Sequence, residues 1–267
     1  MRKSFKEHGQ ETNNCIMKKL QYIIFRIVGY KISFLFGDPA VWDRFRWLKK
    51  NIQKGERRTL DAGCGSGSFS FHAGYVGNEV VGVSFQEKNN ETARVRTRIW
   101  NIKNITFKRG DLRELDTMRD ELKTFDQIIC FETIEHIRND QKLIKDLVSL
   151  LKSNGRLLLT APYKHYKRQP GDNISETEDG GHMRWGYTHE ELAHMLESAG
   201  LEVEKKEYLT GPVSQGLVYL TRILSRVNPR IGWLIVFPLR IFQILDRAVM
   251  KIVKFPPFTV AIIGKKK

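Results

Sequence analysis

Short apolar segments rich in β-forming residues alternate with amphipathic helical segments between Arg57 and Leu209. Such alternation is typical of a parallel sheet covered by helices on both faces. The predicted strands lie near residues 57–62, 79–83, 104–108, 125–131, 155–161, 201–208 and 258–263. The predicted helices lie near residues 68–76, 87–98, 138–151 and 188–199. We therefore expect an α/β protein with a seven-stranded sheet.

Cap residues support two of these helices. Thr188 and Glu191 have the spacing of a capping box at the start of the last helix. Asn154-Gly155 is predicted to end the helix at 138–151, because these two residues readily adopt the left-handed conformation that closes a helix. A further helix begins with Asp38 as N-cap and Pro39 in its first turn.

The basic charge of the chain is concentrated towards its two ends. The formal net charge is +15, yet residues 55–212 contain 23 Lys or Arg and 25 acidic residues. Residues 1–54 contain 12 Lys or Arg and 4 acids, and residues 213–267 contain 10 and 1. We expect a basic helical segment (1–54), a central domain (55–212), a basic amphipathic insertion (213–257) and a final strand with its tail (258–267).

A glycine-rich turn follows the first predicted strand, in the string Thr59-Leu-Asp-Ala-Gly-Cys-Gly-Ser-Gly-Ser68. Glycines at alternate positions let the backbone turn tightly and approach a ligand closely, as in nucleotide-binding turns between a strand and a helix. An ordinary glycine-rich turn is the alternative interpretation, because a bare Gly-x-Gly is weak evidence.

The whole string resembles motif I of the class I S-adenosylmethionine-dependent methyltransferases, and the resemblance covers roughly residues 55–210. It implies a Rossmann-like sheet that binds S-adenosylmethionine as cofactor. In that family the loop holds the methionine part of the cofactor. The implied contacts are Asp61, Gly63, Gly65 and Gly67.

Later strand ends follow the family pattern with one departure. Asp111, after the third strand, resembles the family's contact to the adenine amino group, and a helix N-cap is its alternative role. The fourth strand, 125–131, matches the one that ends beside the sulfonium. The second strand ends in Ser84, where family members usually place an acidic residue that binds the ribose hydroxyls. Ser84 supplies one such bond, and Glu87 is the alternative carboxylate.

Metal-competent side chains follow the fourth strand in the string Glu132-Thr-Ile-Glu135-His136. If a helix begins here, Glu132, Glu135 and His136 share one face. His182 is the predicted fourth ligand, and His165 is an alternative to it. Carboxylates suit Mg²⁺, whereas imidazoles extend the choice to Mn²⁺ or Zn²⁺.

The pattern Glu-x-x-Glu-His with a later His resembles two groups, the ubiquinone-biosynthesis O-methyltransferases and the small-RNA 3′-end 2′-O-methyltransferases. This resemblance implies that Mg²⁺ or another divalent cation grips vicinal hydroxyls of the acceptor. Glu135 and His136 are the candidate catalytic residues. A base that works without metal and a purely structural pair are the alternatives.

Both the basic N-terminal segment and the basic insertion contain amphipathic patterns. The apolar face of the insertion is formed by Leu217, Leu220, Ile223, Leu224, Val227, Leu245, Val249 and Ile252. The cationic side is formed by Arg222, Arg226, Arg240, Arg247, Lys251 and Lys254, and residues 18–36 have a similar composition. Such helices suit the headgroup region of an anionic bilayer, and core helices over an acceptor pocket are the alternative. Trp42 and Trp47 are expected to pack over the cofactor pocket or to face the acceptor.

We therefore expect an enzyme that methylates a hydroxyl of a small-molecule or lipid acceptor, such as a quinone-like ring or a lipid-linked sugar. An RNA ribose 2′-O-methyltransferase, a lipid C-methyltransferase and an inactive membrane-binding adaptor are the alternatives. Nucleic acid is the less favoured partner, because many apolar residues separate the flanking charges. The polar N-terminus and three cysteines without metal-site spacing predict a cytoplasmic protein that lies peripherally on the inner membrane surface.

Overall fold

The computed structural model describes residues 26–267, apart from residues 28, 32, 35, 36 and 170 and the side chains of residues 229 and 230. Most of the predicted amphipathic segment 18–36, and Cys15 with it, therefore lie outside the described residues.

Seven strands form one sheet, which confirms the predicted fold class. The strands are β1 (Arg58–Ala62), β2 (Glu79–Ser84), β3 (Ile105–Arg109), β4 (Phe125–Phe131), β5 (Leu151–Pro162), β6 (Leu201–Leu209) and β7 (Thr259–Lys266). Their order in the sheet is β3-β2-β1-β4-β5-β7-β6, and β7 is antiparallel to both of its neighbours. The chain reverses its direction of travel across the sheet between β1 and β4. In open α/β sheets, ligands bind where the carboxyl ends of two such strands meet.

Helices cover both faces of this sheet. They are α1 (Pro39–Asn51), α2 (Ser68–Tyr75), α3 (Glu87–Ile99), α4 (Arg119–Leu122), α5 (Asp140–Ser149), α6 (His189–Ser198), α7 (Pro212–Val227), α8 (Pro229–Leu239) and α9 (Asp246–Val253). Three 3₁₀ segments add to them, at Leu112–Met118, Ile134–His136 and Arg240–Leu245. The caps of two helices match the prediction, since the Asp38 carboxylate accepts from the Ala40 amide at 2.7 Å and Thr188 and Glu191 form a capping box.

Alternation along the central strands divides the core into two layers. Ile128 and Ile129 are both fully buried, yet Ile128 belongs to the cluster beneath α5 and α6, and Ile129 packs with Trp47 of α1. Successive side chains of a strand point to opposite faces, so one apolar strand supplies both layers. The central strands of the sheet are therefore shielded from water on both faces.

The two tryptophans of α1 do not lie where the sequence analysis expected them. Trp47 is fully buried, packs on Phe131 with ring centroids 5.6 Å apart, and donates from its indole nitrogen to Glu207 at 2.7 Å. Trp42 packs beside Phe45 at 5.4 Å. Since α1 lies flat against the sheet, its large rings fill the core and do not form a wall of either cavity described below.

The predicted end of the helix before β5 is also wrong. Helix α5 ends at Ser149, where the Leu150 amide closes the last turn, and β5 already begins at Leu151. Asn154 has a φ of +63° inside this strand, next to Gly155. The Asn-Gly pair therefore forms an irregular left-handed step at the start of β5, and the pairing of β4 with β5 shifts register there.

The insertion between β6 and β7 is tied to the domain by buried polar contacts. Asp246, at the start of α9, accepts from the amides of Gly211 at 2.6 Å, Val213 at 2.7 Å and Ser214 at 3.2 Å. A carboxylate at this position satisfies the unpaired amides at the start of α7 and complements its dipole. Arg240, which was predicted on the cationic surface, is instead buried and donates to the Gly37 carbonyl at 2.6 Å. Among the described residues no helix is both long and apolar enough to span a bilayer.

Replacing the capping carboxylate tests whether it anchors the insertion. The variant Asp246→Ala is expected to lower the free energy of unfolding by about 2–3 kcal/mol, because hydrogen bonds to a buried charge are lost and three amides lose their acceptor. Urea denaturation provides the measurement. Asp120→Ala, an exposed carboxylate in α4, is the control and should change stability by less than about 0.5 kcal/mol. Equal effects of the two substitutions would contradict the anchoring role.

Candidate active site

Two cavities meet at the carboxyl ends of β1 and β4. The first, here called the glycine-loop cavity, measures about 320 Å³ and is lined in part by Gly63, Gly65, Ser84 and Asp111. The second, here called the carboxylate cavity, measures about 370 Å³ and is lined in part by Glu135 and His182. Glu132 and His136 line both cavities. A ligand in one cavity and a ligand in the other would therefore meet at these two side chains.

The three glycines after β1 serve different physical purposes. Gly63 has a φ of +82°, and a Cβ there would lie 2.3 Å from Thr133 Oγ1. Gly65 has a φ of +50° and lines the glycine-loop cavity, and a Cβ there would enter open space. Gly67 begins α2 at a φ of +84°, where a Cβ would lie 2.8 Å from the Phe107 ring. Gly65 thus keeps its backbone accessible to a ligand, whereas Gly63 and Gly67 permit close packing.

Asp61 lies beneath the glycine loop. Its carboxylate accepts from Ser70 Oγ at 2.6 Å, and burial raises the pKa of this carboxyl to about 6. Among the described residues that line the glycine-loop cavity, Asp61 is absent. The structure therefore places it as a support of the turn into α2, and its predicted cofactor contact stays a prediction.

The ends of β2 and β3 line the other side of the glycine-loop cavity. Asp111 caps the following 3₁₀ segment by accepting from the Arg113 amide at 3.0 Å. Its side chain also pairs with the Arg113 guanidinium, which lowers the pKa of the Asp111 carboxyl. The capping role and a place in the cavity wall, which the sequence analysis treated as alternatives, therefore occur together.

Glu87, the alternative ribose carboxylate, pairs with Arg94 at 2.5 Å and is not among the residues that line the cavity. Gln86 and Asn89 line it instead, and neither was singled out from the sequence. They lie three residues apart at the start of α3, on one face, next to Ser84. Their position directly after the strand end was the available signal. Side-chain amides both donate and accept hydrogen bonds, so they suit hydroxyl groups.

The backbone after β4 does not continue as the helix that the sequence analysis considered. Glu132 has a φ of +46°, and only a 3₁₀ turn, Ile134–His136, follows. The left-handed conformation costs a non-glycine residue about 1–2 kcal/mol and is often found at functional sites. Two contacts hold Glu132 in place: Arg44 Nη1 lies 2.8 Å from Oε2, and Thr160 donates to Oε1 at 3.0 Å.

Three of the four predicted metal ligands come together. Potential ligand atoms of Glu135, His136 and His182 all lie within 4.8 Å of one another. Glu132 is outside this group because Arg44 holds its carboxylate. His165, the alternative ligand, is exposed and packs beside Tyr163.

The orientation of His136 leaves one ring nitrogen available. Its Nδ1 lies 3.0 Å from the Gly181 carbonyl oxygen and donates to it, so Nε2 is the ring nitrogen left for a metal. Nε2 is 3.8 Å from Glu135 Oε1, and the His136 and His182 rings meet edge-on at 4.7 Å. Burial, followed by the charge of His136, lowers the pKa of His182, which favours the neutral form that binds metals.

Glu135 is the least satisfied side chain of this cluster. It is completely buried, and neither carboxylate oxygen has a hydrogen-bond partner within the described part of the chain. Burial and the charge of Glu132 raise the pKa of Glu135 well above its ordinary value. A buried carboxyl without partners is destabilising by itself, so its retention is best explained by a role in binding or catalysis. Two imidazoles and one carboxylate suit a divalent transition metal.

The sheet is Rossmann-like, and the glycine-loop cavity lies where the strand order reverses between β1 and β4. These two features define a cofactor-binding α/β protein. A family model described as a methyltransferase domain matches residues 40–206. The chain belongs to this methyltransferase family, which confirms the family assignment made from the motifs.

Individual relatives agree with the family. The ubiquinone biosynthesis O-methyltransferase of Coxiella burnetii is 26% identical over 124 residues, which are 46% of this chain and 51% of that protein. The chain thus spans about half the length of this curated relative. The YcgJ protein of Bacillus subtilis has a similar fold, with a TM-score of 0.56, 20% identity, and coverage of 84% of this chain and 97% of that one. Coclaurine N-methyltransferase bound to N-methylheliamine and SAH gives a TM-score of 0.55 at 18% identity, with coverage of 88% and 72%.

The residues of the glycine-loop cavity fit S-adenosylmethionine. Gly65 leaves space that any side chain would fill, at the point where the resemblance implies the methionine part of the cofactor. Asp111 lies at the end of β3, where the resemblance implies the adenine. Gln86 and Asn89 supply amides near Ser84 for the ribose hydroxyls. The set of donors and acceptors therefore suits a nucleoside with a charged amino-acid tail.

Adding a methyl group at Gly63 tests the cofactor loop. The variant Gly63→Ala is expected to weaken S-adenosylmethionine binding at least tenfold, because the new Cβ pushes against Thr133 and displaces the loop. Isothermal titration calorimetry measures the affinity. Gly55→Ala is the matched control, since Gly55 has the same φ of +82° but no atom within 4 Å of the added Cβ. If Gly63→Ala binds as tightly as Gly55→Ala, the loop does not hold the cofactor.

Proposed function

We propose that the protein is an S-adenosylmethionine-dependent O-methyltransferase that acts, with a divalent cation, on a hydroxyl of a membrane-associated acceptor. The observation that carries this proposal is the meeting of the two cavities at Glu132 and His136. A methyl donor in the glycine-loop cavity and an acceptor in the carboxylate cavity would adjoin there. The similarity to ubiquinone biosynthesis O-methyltransferases supports oxygen as the methylated atom.

Methyl transfer from a sulfonium is an in-line displacement. The acceptor oxygen forms a bond to the methyl carbon while the carbon–sulfur bond breaks, and the hydroxyl proton must leave. Holding the two reactants in line supplies much of the rate acceleration. Because a neutral hydroxyl is a weak nucleophile, the site must also favour loss of its proton. The side chains at the junction of the cavities are placed to do this.

Glu135, His136 and His182 would hold the cation. When bound, such a cation lowers the pKa of a coordinated hydroxyl and fixes its orientation. The Gly181 carbonyl directs His136 Nε2 towards Glu135, and Arg44 keeps the Glu132 carboxylate separate. Two imidazoles favour Mn²⁺ or Zn²⁺ over Mg²⁺. In the alternative without metal, His136 or Glu135 would accept the proton directly.

Removing one imidazole tests the cation site. His182→Ala is expected to lower Mn²⁺ affinity more than tenfold, because one of three ligands is lost. Calorimetric titration with Mn²⁺ alone measures this without any acceptor. His165→Ala is the matched control, since this exposed histidine lies outside the cluster. Full methyltransferase activity after exhaustive chelation would refute metal assistance and favour His136 as the base.

The insertion presents a large apolar surface. Among the described residues of the insertion, the large exposed hydrophobic side chains are Tyr219, Val227, Ile231, Leu234, Ile235, Ile241, Phe242, Ile244, Leu245, Ile252 and Val253. Single exposed apolar residues are ordinary, but a concentration of this size marks an interaction surface. Arg226, Arg247, Lys251 and Lys254 are exposed in the same segment. Apolar side chains beside cations are what an anionic bilayer surface binds.

Helix α7 connects this surface with the active site. Gln215, Val218 and Arg222 of α7 line the carboxylate cavity, and α7 packs along α8. Arg222, predicted on the membrane-facing side, pairs instead with Asp172 at 2.6 Å. In this proposal one face of α7 forms a wall of the acceptor pocket, and most of the exposed apolar side chains lie on the helices that follow α7.

The charge of the carboxylate cavity argues against RNA as the acceptor. Among the described residues, its wall includes the carboxyl groups of Asp38, Glu132, Glu135 and Asp172 but only two guanidinium groups, those of Arg44 and Arg222. Both guanidinium groups are already paired with carboxylates. A groove that binds phosphates needs an excess of positive charge.

Vesicle flotation tests membrane binding. The double variant Ile244→Ser with Ile252→Ser is expected to reduce binding to vesicles of phosphatidylglycerol and phosphatidylcholine at least tenfold, because two side chains no longer enter the bilayer surface. Tyr75→Ser with Ile174→Ser, which alters exposed apolar residues of the central domain, should bind normally. Undiminished flotation of the first variant, or a tighter gel shift with a short RNA than with vesicles, would contradict the proposal.

A further inference from the structure

We infer that the acceptor hydroxyl belongs to a polyhydroxylated group, the glycosyl head of a lipid-anchored molecule, and not to a quinone-like phenol. This inference rests on the proposed function, because it names the class of molecule that enters the carboxylate cavity. It comes from three oxygen atoms in the wall of that cavity that no residue described here satisfies.

Gln169, Thr210 and Gln215 line the carboxylate cavity and are each more than nine-tenths buried. Gln169 Oε1, Thr210 Oγ1 and Gln215 Oε1 have no hydrogen-bond partner among residues 26–267 as far as these are described. Buried polar atoms are nearly always paired, because leaving them unpaired costs their full hydration. Three such atoms around one cavity indicate that a ligand completes their hydrogen bonds.

The orientation of both amides is determined by their nitrogen atoms. Gln215 Nε2 donates to the carbonyl oxygens of Thr210 at 3.1 Å and Pro256 at 2.8 Å. Gln169 Nε2 donates to the Gln215 carbonyl oxygen at 3.2 Å. A carbonyl accepts and cannot donate, so neither amide can be turned around. Both side-chain oxygens are therefore acceptors that require donors from the ligand.

Thr210 has a strained backbone conformation that neighbouring contacts maintain. It has a φ of +60°, a rare conformation for a β-branched residue, at the junction of β6 and α7. Its carbonyl accepts from the Phe258 amide at 2.9 Å as well as from Gln215. Strain that surrounding contacts maintain is typical of binding sites. Thr210 itself lines the carboxylate cavity, as the two glutamines do.

A sugar supplies the donors that these oxygens lack. A catechol-like ring has two hydroxyls, both of which the cation cluster would use, and its remaining edge is apolar. A hexose has further hydroxyls, which can donate to Gln169, Thr210 and Gln215. Tyr166 and Phe258 also line the cavity, with ring centroids 4.8 Å apart, and offer an aromatic surface to the C–H groups of a sugar. The excess of carboxyl groups favours a neutral sugar over a phosphorylated one.

The position of α7 explains how a lipid-anchored sugar would reach the site. Gln215 and Val218 line the cavity, while the helices that follow α7 expose their apolar residues. The glycosyl head would lie in the polar cavity while the lipid remains with the membrane. Polar and apolar parts of the acceptor thus match separate parts of the insertion.

Binding of matched probes tests the acceptor class. Decyl glycosides of glucose, galactose, mannose and N-acetylglucosamine are compared with 4-decylcatechol, all below their micellar concentrations. The protein is saturated with S-adenosylhomocysteine and Mn²⁺, and calorimetry measures each affinity. At least one glycoside is expected to bind tenfold or more tightly than the catechol. Tighter binding of the catechol, or no binding of any glycoside, would overturn the inference.

Two variants at Thr210 test whether its hydroxyl contributes to glycoside binding. Thr210→Val keeps the shape and removes the hydroxyl, so it should lower glycoside affinity about tenfold and leave catechol affinity unchanged. Thr210→Ser keeps the hydroxyl and should retain glycoside binding. Thermal denaturation of both variants, measured alongside, separates an effect on binding from an effect on folding. Normal glycoside binding by Thr210→Val would overturn the inference. The proposed function is measured independently by S-adenosylmethionine and Mn²⁺ binding.

Discussion

The close contact between Gly63 and Thr133 joins the two halves of the active site. Residues 59–61 of β1 pair in parallel with residues 127–129 of β4, which places the loops after the two strands against each other. The glycine loop follows the first strand, and the segment with Glu132, Glu135 and His136 follows the second. A side chain at Gly63 would force these loops apart, because its Cβ would overlap Thr133. In the proposed function, the cofactor and the acceptor can adjoin because Gly63 has no Cβ and because β1 and β4 are neighbours in the sheet.

Two acidic side chains are buried near the carboxyl ends of β1 and β4. Asp61 and Glu135 are both completely buried, and burial raises the pKa of each. Ser70 partly satisfies Asp61, whereas nothing within the described residues satisfies Glu135. Arg44 reaches from α1 to neutralise Glu132 and so prevents two adjacent carboxylates from remaining unpaired. Helix α1 thus lines the carboxylate cavity as well as the core.

The insertion between β6 and β7 has a double role in the proposed mechanism. Its first helix closes the carboxylate cavity, and its later helices carry the exposed apolar and basic side chains. The Asp246 carboxylate joins α9 to the start of α7, and the buried Arg240 fastens the insertion to the segment before α1. Because Asp246 and Arg240 hold the insertion through buried contacts, the fold does not depend on the side chains of its outer surface, which can therefore be apolar. A rigid connection between membrane surface and cavity suits an acceptor with a polar head and a lipid tail.

Most of the fold was predictable from the sequence because strand alternation, helix caps and glycine positions are local properties. All seven strands occur near their predicted positions, and the glycine motif identified the methyltransferase family. Contacts between distant segments were not predictable. Trp47 looked like a pocket residue and is core. Arg222 and Arg240 looked like surface cations, but Arg222 pairs with Asp172 and Arg240 is buried. A helical pattern shows that one face differs from the other, but not which neighbour covers it.

The sequence by itself determined the sheet, the cofactor loop and the residue types of the Glu-x-x-Glu-His string, since each depends on short-range spacing. Only the tertiary structure decided which of these side chains meet. It left Glu132 out of the cluster of Glu135, His136 and His182, and Arg44 and Thr160 hold the Glu132 carboxylate instead. It also brought Gln169, Thr210 and Gln215, from three parts of the chain, to one cavity. Packing across the whole molecule determines which polar atoms are buried and which hydrogen-bond partners they find. No local sequence pattern encodes either property.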